Sequence, residues 1–254
     1  MKYSHNIAKP LLIVFLTLLF IITGCGPEGS GEVNRTASTD ADGSTSVDNT
    51  APVDLSATNV NGLDATEASH LTFMREEEKL ARDVYLTLAD LYPDQRAFSR
   101  IATRSEQTHT DTMRDKLDQF NLPDPNPNTN ELPSSIGVFT GEEWGWYFTE
   151  KFALLTTKAG VSELDALYVG AFIEELDMYD IVVCPQVLID RGYSSPCGLE
   201  YTDERSLQTA YSALVSGSKS HLRAYVEQIE TFIGVGNYVA QYITQAEVDA
   251  ILGR

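Results

Sequence analysis

Beyond residue 64 the apolar residues recur at steps of three and four, the spacing of one helix face. Between Ala65 and Tyr92, Leu71, Met74, Ala81, Tyr85 and Leu88 form such a stripe, and Pro93 stops it. A second helix is predicted from about Ala97 to Phe120, with Phe98, Ala102, Met113, Leu117 and Phe120 on one side. Thr140-Gly-Glu-Glu143 has a capping-box pattern and predicts a shorter helix through Lys158, stopped by Gly160. Ser162-Glu-Leu-Asp165 opens another that runs to about Val183, ahead of Pro185. A long helix spans roughly Asp203 to Phe232, and Thr244-Gln-Ala-Glu247 caps a short terminal one. The sequence has no strand-type alternation of any length and no internal repeat. Four long helices, with a long connection between the second and third that carries the short extra helix, predict an all-α bundle with a crossover.

That connection begins Leu122-Pro-Asp-Pro-Asn-Pro-Asn-Thr-Asn-Glu-Leu-Pro133, which cannot form regular structure. Asp124, Asn126 and Asn128 alternate like the start of a calcium loop. No Gly stands at the sixth place and no Glu at the twelfth, so the segment reads as a plain loop.

The first residues follow a different rule. Lys2 and Lys9 precede an apolar run from Leu11 to Ile22, too short to favour a membrane span and typical of a secretory signal. The run ends Ile22-Thr23-Gly24-Cys25, which resembles a bacterial lipobox and implies cleavage after residue 24 and lipidation of Cys25. Gly26, rather than Asp, follows the Cys, which favours an outer-membrane site where a cell has two membranes. The stretch to about residue 63 is dominated by Gly, Ser, Thr, Asp, Asn and Ala, and reads as a flexible tether. The expected organisation is therefore a signal peptide over 1–24, a lipidated tether over 25–63, and a helical domain over 64–254, placed outside the cytoplasm.

Charge removes several function classes. The 254 residues carry 37 acidic against 18 basic side chains, a net charge of −19. Nucleic-acid binding needs a positive face, and attraction to anionic lipid needs the same, so both are excluded as charge-driven roles. Loss of residues 1–24 removes two lysines and no acid, leaving 16 basic against 37 acidic groups, or −21, so the lipid would hold the chain at the membrane. Three cysteines cannot build a four-thiolate metal site. Cys184 and Cys197 lie in one loop, and an oxidising compartment favours a disulfide between them over a redox-active pair or free thiols.

The informative acids are those that interrupt the apolar stripes. Glu78 lies between Met74 and Ala81, Glu106 and His109 between Ala102 and Met113. Glu174 continues Leu164, Leu167 and Ala171, with Asp177 one turn on, and His221 lies between Leu214 and Tyr225. A carboxylate or imidazole on a core face is costly unless paired or metal-bound. All fall near mid-helix, where packing can bring them to one level. Glu106-Gln-Thr-His109 is Glu-x-x-His, with both side chains on one face. Carboxylates bridging two divalent ions, with imidazoles completing the shell, suit iron or manganese. Each residue has a plainer role open to it. Glu78 can pair with Arg82 on a surface, the histidines can be structural, Glu175 competes with Glu174, and Tyr85 and Tyr211 can simply pack or can orient ligands.

Glu78-Lys-Leu-Ala-Arg-Asp-Val-Tyr85, Glu106-Gln-Thr-His109 and Gly170-Ala-Phe-Ile-Glu174-Glu-Leu-Asp177 resemble the ligand helices of rubrerythrin-type ferritin-like proteins. Ser218-Lys-Ser-His221 occupies the place of their fourth-helix Glu-x-x-His. Together with Ser220-His-Leu-Arg-Ala-Tyr225, these strings are similar to a bacterial family of ferritin-like domains of unknown function, over about residues 68–232. The resemblance implies a ferritin-like four-helix bundle with two metal ions, most naturally iron, held by Glu78, Glu106, His109, Glu174, Asp177 and His221. It implies a di-iron oxidoreductase, a ferroxidase or peroxide reductase, with electrons from an external donor because no rubredoxin-like pair of C-x-x-C motifs is present. Ser218 departs from the pattern by removing a carboxylate, with Glu175 or Asp177 available to compensate, and this keeps open a non-enzymatic metal-binding or envelope interaction module. The Cys184–Cys197 stretch is an insertion relative to that family.

Overall fold

The computed structural model describes residues 62–254 and, ahead of them, an antiparallel hairpin of β1 (Ala37–Thr39) and β2 (Thr45–Val47). The signal peptide, Cys25 and most of the tether lie outside the described residues. The hairpin falls where the sequence reads as tether only. Two strands of three residues each are too short to register as strand alternation.

From Ala65 onward every regular element among the described residues is helical. The elements are α1 (Ala65–Leu91), α2 (Arg96–Arg100), a π-helical segment (Ile101–Glu106), α3 (Gln107–Gln119), α4 (Gly145–Ala159), α5 (Glu163–Val182), α6 (Gln186–Asp190), α7 (Arg205–Ile233) and α8 (Gln245–Leu252). Asp64 starts α1 with a reciprocal capping box, its side chain accepting from Glu67 N at 2.8 Å while Glu67 accepts from Asp64 N at 2.9 Å. The same device opens α8 through Thr244 and Glu247, as the sequence predicts. The predicted box at Thr140–Glu143 does not form. Thr140 instead donates to Pro125 O at 2.7 Å and Asn126 Oδ1 takes its backbone N–H at 2.9 Å, so the helix starts later, at Gly145.

α1, α3, α5 and α7 close a ring of contacts, with α5 along α7, α1 along α3, and α4 from the crossover against α1 and α5. Every stripe residue named above is buried except Leu164, which is partly covered at the start of α5. α1 is buried on nearly all sides, including Arg75, Lys79 and Arg82. These cations tie the crossover to its outer face: Arg75 donates to Asp124 at 2.9 Å, Lys79 to Ser135 O at 2.8 Å, and Arg82 to Thr129 O at 3.0 Å. Asp124 and Asn126 therefore serve as anchors of a plain loop. Arg82 pairs with Asp83 at 2.7 Å and not with Glu78, which leaves Glu78 free to face inward.

One other acid and a tyrosine find structural partners. Glu175 accepts from Tyr238 Oη at 2.6 Å, Gln241 N at 2.8 Å and Tyr242 N at 2.6 Å, fastening the loop before α8. Its backbone neighbour Glu174 meets His221 instead, and Glu175 joins neither group of donors there. Tyr211 lies 3.0 Å from His70 Nδ1, and the other ring nitrogen of His70 lies 3.0 Å from Asp180 O; burial lowers the His70 pKa to about 4, keeping it neutral. Tyr211 stands ten residues ahead of His221, about 15 Å along a helix axis, too far to orient a ligand there.

The Cys184–Cys197 disulfide is formed, with Cα atoms 5.0 Å apart. It closes the α6 loop onto the end of α5, where Cys197 N and Gly198 N both donate to Val183 O. Replacing both cysteines by serine is expected to lower unfolding free energy by about 3 kcal/mol on the loop-closure argument. Denaturant titration of wild type and double variant measures it. An unchanged midpoint contradicts a structural role.

Candidate metal centre

Glu78 comes from α1, Glu106 from the last residue of the π segment, His109 from the first turn of α3, Glu174 and Asp177 from α5, and His221 from α7; all six are buried. Glu106 stands between the two imidazoles. Its Oε2 lies 3.3 Å from His109 Nδ1, and its Oε1 lies 2.8 Å from His221 Nδ1. Glu78 Oε2 approaches His109 Nδ1 at 3.2 Å, and Glu174 Oε2 approaches His221 Nδ1 at 3.3 Å. Two donor groups result, Glu78–Glu106–His109 and Glu106–Glu174–His221, and within each the ligand atoms lie within 4.8 Å of one another. Glu106 belongs to both.

Local structure explains the placement. The π segment widens the helix by one residue per turn just before Glu106. The sequence predicts one continuous helix there, because hydrophobic spacing alone does not register a single extra residue. Gly217 on α7 supplies the room for His109: a Cβ there would stand 2.5 Å from the ring's Cε1 and Nε2. The two rings lie with centroids 5.6 Å apart. Tyr85 donates to Glu174 Oε1 at 2.6 Å, and Ser218 donates to Asp177 Oδ2 at 2.6 Å, so each fixes a carboxylate by its outer oxygen. Asp177 borders the site without joining either donor group.

Sequence reasoning missed Gly217, the π segment and a neighbouring acid pair. Glu77 and Asp180 are buried and share a hydrogen bond beside Asp177; burial raises both pKa values, that of Asp180 to about 8. The signal available was spacing, since Asp180 continues the three-residue step from Glu174 to Asp177.

Protons compensate for charge in the metal-free protein. Burial opposes the imidazolium form of His109, but Glu78 and Glu106 outweigh it and hold its pKa up at about 12. Burial likewise opposes His221, and Glu174 and Glu106 lift it to about 10. Burial pushes Glu78 up to about 7 against the pull of His109, and raises Glu174 and Asp177. Burial would raise Glu106 too, yet the two imidazoles hold it well below the carboxylate range.

The donor set fits divalent cations. Glu78 Oε1 and Asp177 Oδ1 are buried with no hydrogen-bond partner among the described residues. His109 Nδ1 sits near two carboxylates yet aligns a hydrogen bond with neither. Such convergence without shared-proton geometry suits a cation between donors. Four carboxylates, those of Glu78, Glu106, Glu174 and Asp177, would balance two divalent ions, and the oxygen-and-imidazole chemistry suits iron or manganese.

Comparison with known proteins bears on residues 67–254, which match the family described as an uncharacterized protein domain, DUF2202. A similar relative, the uncharacterized protein MJ0754 of Methanocaldococcus jannaschii, is 39% identical over 186 residues, covering 73% of this chain and 86% of the relative. The crystal structure of hypothetical protein MJ0754 from Methanococcus jannaschii superposes with a TM-score of 0.62 at 36% identity, covering 78% of this chain and 98% of that one. This relative is archaeal, so the bacterial restriction implied by the resemblance does not carry over.

Near neutral pH a metal must displace the protons on His109 and His221, whose pKa values are about 12 and about 10, and part of that on Glu78, at about 7. Metal uptake is expected to release at least two protons per chain, and affinity is expected to fall as pH falls. A pH-stat titration with Mn(II) measures both. Uptake without proton release contradicts the arrangement.

Proposed function

The chain belongs to the DUF2202 family, and we propose that it is a ferritin-like dimetal carboxylate protein holding two divalent ions, iron or manganese, on either side of Glu106. One observation carries the reading: a buried carboxylate faces two imidazoles through its two oxygens, and each imidazole has a further carboxylate of its own. Glu78 and His109 would hold one ion with Glu106, and Glu174 and His221 the other. Asp177 supplies the remaining negative charge. The helix order, with the crossover between α3 and α5 carrying α4, supports the ferritin-like arrangement.

An iron pair held by Glu78, Glu106, His109, Glu174 and His221 would supply redox chemistry toward dioxygen or peroxide, which supports a ferroxidase or a peroxide-reducing oxidoreductase with an external electron donor. The chain's own residues keep the donors aimed. Tyr85 holds Glu174, Ser218 holds Asp177, and Gly217 leaves the His109 ring its place. The Leu11–Ile22 run ahead of Cys25, together with the Cys184–Cys197 disulfide, supports a lipid-anchored position outside the cytoplasm, at an outer membrane where one exists. Among the described residues no helix is long and apolar enough to cross a membrane.

Ser218 favours a second reading, a metal-binding module without turnover. Its hydroxyl is committed to Asp177 and adds no carboxylate to either donor group.

Elemental analysis of the full chain after anaerobic iron loading is expected to give about two ions. Glu106→Ala should lose both, whereas His221→Ala should keep the position of Glu78 and His109. Less than one ion on wild type overturns the dimetal reading. Two bound ions with no ferrous oxidation by oxygen or peroxide would leave the module and remove the enzyme.

A further inference from the structure

A cavity of about 550 Å³ opens at the surface, and His221 is one of the residues that line it. Arg96, Arg100 and Arg104 also line it, four residues apart on the run from α2 into the π segment. All three are exposed, and among the described residues none of their guanidinium groups makes an ion pair or a hydrogen bond. Asp94 and Glu227 line the same cavity but lie beyond ion-pair distance of the arginines. Like charges four apart on a helix repel, so the fold gains nothing from this row. In a chain with 18 basic against 37 acidic side chains, three unpaired arginines around one cavity are a concentration of positive charge in an otherwise negative field.

We propose that this cavity binds a small anion through a phosphate or carboxylate group, presenting it to the His221 side of the metal centre. The planar guanidinium fork matches both oxyanions, and the volume lies in the range of small-molecule sites. The inference rests on the dimetal reading and deepens it by assigning an anion to the His221 side of the centre.

The test is an NMR shift titration of the metal-free full chain with inorganic phosphate and, separately, with succinate. One of the two is expected to bind saturably, moving the His221 ring signals and the Arg96, Arg100 and Arg104 Nε–H signals together. Arg100→Gln should weaken that anion by roughly tenfold, the loss of one charge-assisted contact. The triple replacement Arg96→Gln, Arg100→Gln, Arg104→Gln should abolish binding. Arg205→Gln, at an exposed arginine elsewhere, should leave it unchanged. These arginines are exposed, and thermal melts confirm that each variant is folded. The arm that binds identifies phosphate or carboxylate. Binding of neither anion, or loss of affinity equal in Arg205→Gln, overturns the proposal. Iron analysis of the same proteins after separate anaerobic loading separates the two ideas: an anion site without metal uptake sinks the dimetal reading alone, and metal uptake without anion binding sinks this one alone.

Discussion

Glu106 is the constraint on which the centre depends. One carboxylate, buried where the helices meet, serves His109 with one oxygen and His221 with the other. Placing it there requires α7 to approach closely, which Gly217 permits, and requires the second helix to be widened immediately before it, which the π segment provides. Glu78 and Glu174 then approach from opposite flanks. An isolated carboxylate at this depth would cost several kcal/mol in solvation, so the surrounding donors make sense only as a set that shares protons or cations.

The same fold keeps its functional and structural charges apart. Along α1, Glu78 faces inward, while Arg75, Lys79 and Arg82 face outward and clamp the crossover through Asp124, Ser135 and Thr129. Along α5, Glu174 faces the imidazoles while Glu175 takes three backbone N–H groups and the Tyr238 hydroxyl to hold the C-terminal loop. Glu175 meets four donors, whereas Glu78 and Asp177 each keep a buried oxygen lacking a partner among the described residues.

Much of this was legible beforehand. Helix periodicity located all four long helical stretches, because each buries a stripe at steps of three and four, and it exposed the interrupting acids for the same reason. Periodicity could not choose between Glu174 and Glu175, since adjacent residues on a helix differ by about 100° and α5 buries both. It placed Tyr211 too generously, because a stripe records the face of a residue but not its height along the axis. The capping box at Thr140 failed because the side chain found a better partner in the crossover, a contact far away in sequence. Gly217 and the three arginines were invisible for a related reason. A glycine that admits a ring, and a cationic row that borders a cavity, acquire meaning only once another helix is beside them.

Anomalous diffraction at the iron edge, from crystals of the iron-loaded full chain, tests the bridging role of Glu106 most directly. Two anomalous peaks per chain are expected, one among Glu78, Glu106 and His109 and one among Glu106, Glu174 and His221. Iron bound elsewhere, or a single peak not contacted by Glu106, would contradict it.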